Sequence, residues 1–195
     1  MNLQNKENWI EKMETLVEEQ LETSTKIFQN LAEEALIFSD SGNWSITACL
    51  DHLNSYAAFY LPRIKKVLES SKSEKDTSSI RLSWIGSYFI NMMKPVENGK
   101  KFKAIKKHYP NVQNAAPYQI VAEFIDYLEE IQEILLKARG KDLNKGSISS
   151  SISSLVLLRP CDAIEFLLVH NQRHVIQAKY QLKAYQDLHP KKKEN

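Results

Sequence analysis

The sequence predicts an all-α protein built as a four-helix bundle, and three observations carry that prediction. Only 5 Gly and 6 Pro occur in 195 residues, too few for a turn-rich all-β fold. Four long segments space their apolar residues by three or four, the period of one helix face. A long central crossover lies between the second and third segments, which lets those two helices run in the same direction, as in an up-down-down-up order. With 43% hydrophobic residues the chain is ample for one core. Residues 1–190 are expected to form a single domain and 191–195 a basic, disordered tail.

The first helix is expected from about Asn5 to Phe38, with Ile10, Met13, Val17, Leu21, Phe28, Leu31 and Ala35 on its apolar face and the breakers Ser39-Asp40-Ser41-Gly42 after it. The second starts at Ser45, whose hydroxyl suits an N-cap, with Trp44 and Cys49 in the positions of a hydrophobic staple. Its stripe is Ile46, Cys49, Leu53, Tyr56, Tyr60, Ile64 and Val67, and a polar run from Ser70 to Asp76 ends it. The third begins near Pro117, with Ile120, Phe124, Leu128, Ile131 and Leu135 facing the core. Lys137 and Arg139 suit its negative end, and Gly140 a left-handed C-cap. The fourth begins near Pro160, with Asp162 in its first turn and a stripe from Ile164 through Leu167, Asn171, His174, Ala178 and Gln181 to Tyr185.

Two connections are long. Between Ser71 and Ala116 lies an apolar piece, Ile80 to Met93, expected as a short extra helical segment over the bundle mouth. A lysine-rich loop with Lys94, Lys100, Lys101, Lys103, Lys106 and Lys107 follows it. That loop reads as solvated, or as a patch that draws an anionic substrate. The connection from Lys141 to Arg159, which contains the serine-rich stretch Ser147 to Ser154, has the length of a functional loop or lid.

Composition narrows the function classes. Lys plus Arg number 26 and Asp plus Glu 24, so a net charge of +2 gives no nucleic-acid footprint. Trp84, Tyr88 and Phe89 sit at helical spacing, which favours packing over base stacking. No apolar run is long enough to span a membrane, and the N-terminus lacks the apolar core of a signal peptide. Cys49 and Cys161 are expected as reduced, buried thiols of a cytoplasmic protein.

The histidines carry the chemistry. His170 and His174 stand four apart, one turn along one helix face, a spacing at which two imidazoles bind one metal ion. His52, beside the stripe of the second helix, is the candidate third ligand from a facing helix. Three neutral nitrogens would leave a divalent ion an open position, the arrangement of a catalytic site. On spacing alone the alternative stays open: His170 and His174 as amphipathic surface residues, and His52 as a hydrogen-bonded core histidine. His108 and His189 read as surface histidines. Tyr56 and Gln177 share a helix face with a candidate ligand and are placed to touch a substrate or to pack. Asp51 and Asn171, one residue from a ligand, read as supporting or surface groups.

Two stretches then resemble the signatures of the DinB/YfiT-like superfamily. Trp44-Ser45 leads into a helix with His52-Leu53, and Phe166 to Gln177 carries two histidines four apart followed by a Gln. Asp142-Leu143-Asn144 through Ser149, then Asp162-Ala163, is similar to the DinB-like branch, while the stretch from 70 to 116 matches loosely. The resemblance implies an up-down-down-up four-helix bundle that often dimerises. It implies a divalent metal, commonly nickel or zinc, on the three histidines that match here as His52, His170 and His174. Characterised relatives include S-transferases that use bacillithiol or mycothiol and an isomerase that uses mycothiol. The resemblance therefore implies a metal-dependent enzyme acting on a small molecule, a thiol-dependent S-transferase before a metal-dependent hydrolase, and the lysine loop suits an anionic thiol. The reading from another class is a non-catalytic, dimeric binding or stress-response bundle. A homodimer is expected, with a low-molecular-weight thiol as co-substrate and neither nucleic acid nor membrane as partner.

Overall fold

The structure, a computed structural model, describes residues 3–71, 78–95, 104–112 and 116–190. Its core is a helical bundle of α1 (Lys6–Lys26), α3 (Ile46–Ser70), α5 (Pro117–Ala138) and α6 (Pro160–Leu188). α3 packs against both α5 and α6, and α1 closes the other side against the same two helices. Among the described residues no helix is long and apolar enough to cross a membrane.

The first segment departs from expectation. Asn5 caps α1, its Oδ1 accepting from the Asn8 amide at 3.1 Å, but the helix stops at Lys26. A 3-10 turn (Phe28–Asn30) and the short α2 (Glu33–Ile37) replace its continuation to Phe38. The hydroxyls of Thr23, Ser24 and Thr25 each donate to the carbonyl four residues back, at 2.8, 2.8 and 2.7 Å. Such back-bonding bends and weakens a helix. Asn30 Nδ2 then donates to the Thr25 and Lys26 carbonyls, at 2.8 and 3.4 Å, in place of the next helical turn.

α3 begins as expected, the Ala48 amide donating to Ser45 Oγ at 3.1 Å. The crossover carries the expected extra helix, α4 (Trp84–Met93), capped by Ser83. α4 packs along the start of α6, and the contact is so close that a Cβ at Gly86 would lie 2.2 Å from Asp162 Cγ. Asp162 accepts from the Arg159 amide and, with its other oxygen, from the Ser83 amide, each at 2.8 Å. Of the three aromatics on α4, Phe89 meets Phe166 at 6.4 Å. Trp84 and Tyr88 are 76% and 58% exposed, against the packing expected of them.

The end of α5 also differs. Gly140 is not among the positive-φ residues, which are Ser41, Gly42 and Gly146. Instead the buried Lys6 Nζ donates to the Arg139 and Lys141 carbonyls at 2.8 and 2.6 Å, so a cation from α1 satisfies the negative end of α5. Two short antiparallel pairs finish the fold: β1 (Gln4–Asn5) with β2 (Ser79–Ile80), and β3 (Ile148–Ser149) with β4 (Leu157–Leu158). The second pair folds the serine-rich stretch back on the residues that follow it. Cys49 and Cys161 are free and buried, and burial pushes both thiols up in pKa, so they are protonated. The expected disordered tail, 191–195, and Lys100, Lys101 and Lys103 of the loop lie outside the described residues.

Candidate metal centre

α3 and α6 bring the three predicted histidines together. One ring nitrogen from each of His52, His170 and His174 lies within 4.8 Å of the others, and His52 Nε2 is 3.3 Å from His170 Nε2. His52 and His170 are buried and His174 is partly buried.

The far side of each ring decides what faces the cluster. His52 Nδ1 donates to the His108 carbonyl at 2.6 Å, and His174 Nδ1 donates to Gln177 Oε1 at 3.0 Å. A carbonyl or amide oxygen can only accept, so each bond assigns the proton to Nδ1 and leaves Nε2 a bare lone pair. His170 Nδ1 is buried with no hydrogen-bond partner among the described residues, a cost that native interiors rarely carry without a role. Burial first, then mutual repulsion and Arg173, lowers His170 well below the ordinary histidine range. Burial and His52 hold His174 at about 3, and burial lowers His52 too, although the His108 carbonyl and Asp51 oppose it. All three imidazoles are therefore neutral at neutral pH, the state that ligates metal. Three neutral nitrogen donors, two of them with oriented far-side partners, suit a divalent metal cation.

An aromatic wall surrounds the cluster. Phe166 stacks on His170 at 5.5 Å and 17°, and Trp44 on His174 at 5.7 Å and 24°. Tyr56 sets its edge against His52 and His170, at 5.0 and 4.6 Å. Burial pushes its hydroxyl up to about 12, so it stays protonated. Tyr60, stacked on Tyr56 at 6.3 Å, accepts at its hydroxyl from the Ser151 amide at 3.0 Å, which brings the serine-rich stretch against this wall.

The other predicted residues take different places. Gln177 orients a histidine, and Tyr56 lines the site. Asp51 turns to the crossover, its Oδ2 accepting from the Asn111 amide at 2.8 Å. Asn171 is a buried residue of α6. Trp44, expected as a staple against Cys49, has the rings of His52 and His174 as neighbours, at 4.9 and 5.7 Å.

His108 is the main correction. Expected at the surface, it is only 3% exposed. Its Nδ1 hydrogen-bonds Ser55 Oγ at 2.6 Å, and its ring stacks on Tyr56 at 4.0 Å. Burial, then Lys107 and His52, lowers its pKa to about 4. Part of the signal is in the sequence: Asp51, Ser55 and Phe59 repeat every four residues beside the stripe His52, Tyr56, Tyr60. What docks there is not. His189 is exposed, as expected.

No curated protein and no solved structure matches this chain. The comparison with protein families is specific: the model described as DinB superfamily matches residues 16–178, a range that holds His52, His170 and His174, and the chain belongs to that superfamily.

Proposed function

We propose that the chain is a divalent-metal-dependent enzyme in which His52, His170 and His174 hold a zinc or nickel ion, and that its reaction is thiol-dependent S-transfer. One observation carries the metal: three neutral imidazoles converge within 4.8 Å, two of them with their far nitrogens held by acceptors. A bound divalent ion supplies charge that lowers the pKa of a thiol or water in its open position. The surroundings support sulfur. Trp44, Tyr56 and Phe166 offer ring surfaces, which sulfur contacts favourably. The nearby carboxylate of Asp51 is engaged by the Asn111 amide rather than held ready for water. In the reaction the thiol sulfur bonds to an electrophilic carbon, and the thiol proton departs with the leaving group as acid.

We include in this reading an up-down-down-up order. It is supported by Asn54 meeting the Ile120 carbonyl near the starts of α3 and α5, and by Trp9 meeting Glu165 near the starts of α1 and α6. A cytoplasmic homodimer completes it.

The test is elemental analysis of untagged protein, followed by thiol consumption with a panel of electrophiles. Near-stoichiometric metal and thiol-dependent turnover support the reading. Metal with thiol-independent ester cleavage replaces it by hydrolysis, and no metal uptake replaces it by a non-catalytic bundle.

A further inference from the structure

Residues 104–112 of the lysine-rich crossover loop lie along α3, held through Lys107, His108 and Asn111. The Asn111 amide donates to Asp51 Oδ2 at 2.8 Å. The His108 ring is fixed by Ser55 Oγ at 2.6 Å and by stacking on Tyr56 at 4.0 Å. Lys107 Nζ stands 4.1 Å from the centre of the Phe59 ring. Asp51, Ser55 and Phe59 follow one another at one-turn intervals, so α3 offers the loop a continuous track. The neighbouring track, His52, Tyr56 and Tyr60, faces the metal centre. His108 joins the two: its side chain seats the loop, and its carbonyl accepts the His52 Nδ1 proton at 2.6 Å.

We propose that His108 is a positioning residue for the metal centre, and that seating of the crossover loop and occupation of the three-histidine site are thermodynamically linked. The inference rests on the metal-site reading above. With the loop seated, the His108 carbonyl fixes the tautomer and tilt of His52, so Nε2 is presented bare. With the loop lifted, His52 loses that acceptor and its ring is free to turn. Partners of this kind alter metal affinity by 10–100-fold. Linkage is reciprocal, so a metal ion that prefers the seated state holds the loop down by the same factor. The loop displays exposed Lys106 and Lys107, so its lifting can be read by trypsin.

The experiment uses the full chain and zinc alone. Zinc affinity is measured by competition with a chelating indicator for the wild type, Ser55→Ala, Ser55→Thr and His108→Ala, with circular dichroism as the check of fold. Ser55→Ala removes one hydrogen bond from the His108 ring and touches no ligand. It is expected to weaken zinc about tenfold, with recovery in Ser55→Thr, and His108→Ala to weaken it by up to about 100-fold. In parallel, zinc is expected to slow tryptic cleavage after Lys106 and Lys107 in the wild type, but not in His52→Ala. Zinc binding of unchanged affinity in a folded Ser55→Ala, or cleavage that zinc leaves unaltered, overturns the linkage and leaves the metal site standing. No zinc uptake by the wild type overturns the metal site and the linkage together.

Discussion

The seam between α3 and α6 has two halves built on different principles. In one, Leu61 and Ile64 of α3 meet Ile164 and Leu167 of α6, with Ile131 and Ile134 of α5 closing in behind. Every group there is aliphatic, and burial alone stabilises it. In the other, the same two helices bury His52 and His170 with His174 beside them, rings that carry polar nitrogens into the interior. That half is stable only where each nitrogen has a partner, and among the described residues the buried Nδ1 of His170 has none. The difference teaches where function resides: the aliphatic half positions the helices, and the histidine half uses that rigidity to hold rings it would not otherwise keep together.

The sharpest break is removal of a ligand. His52→Ala is expected to lower bound metal from near one per chain to background in elemental analysis while the helical circular dichroism signal persists. Next in size, Leu167→Ala, at a site only 2% exposed, is expected to cost about 2–5 kcal/mol in urea unfolding and to leave zinc stoichiometry unchanged. The two substitutions thereby separate the halves.

Acid separates them again. In the metal-free chain the pKa values of His108 and His174 lie at about 4 and about 3, below the unfolded value near 6.5. Between these values the unfolded chain binds more protons than the folded one. Stability is therefore full above about pH 6.5 and falls as pH drops toward 4. Urea midpoints taken from pH 7 to pH 4.5 are expected to fall. The fall should be shallower in His108→Gln and unchanged in slope in Leu167→Ala. The smallest effect belongs to the cap that starts α3 just ahead of the histidines. Ser45→Ala is expected to lower stability by about 0.5–2 kcal/mol, read as a shift in thermal midpoint.

The two halves were not equally legible in the sequence. The aliphatic half follows from periodicity, because apolar residues at helical spacing must face something apolar. The pair His170 and His174 follows from the same geometry within one helix. That His52 meets them is a tertiary fact, carried by the resemblance rather than by any spacing. The burial of His108 has no trace in periodicity, because a loop has no period and the track along α3 shows only once the loop is laid on it. The apolar spacing of the first helix continues past Lys26, whereas the side-chain bonds of Thr23, Ser24, Thr25 and Asn30 accompany the end of the backbone ladder. Residue identity points Gly140 to a left-handed cap, while the carbonyls there are met by Lys6, more than a hundred residues away.

Asp162 serves two helices at once, one oxygen on the Arg159 amide at the start of α6 and the other on the Ser83 amide at the start of α4. The bond at the start of α6 is local, three residues apart, but the start of α4 meets this carboxylate only once segments 79 residues apart have come together. Closing so long a loop delays the contact relative to local helix formation during refolding. The crossover helix therefore locks late, onto a first turn of α6 that has already formed, and the Ser83 amide should exchange with solvent faster than the Arg159 amide.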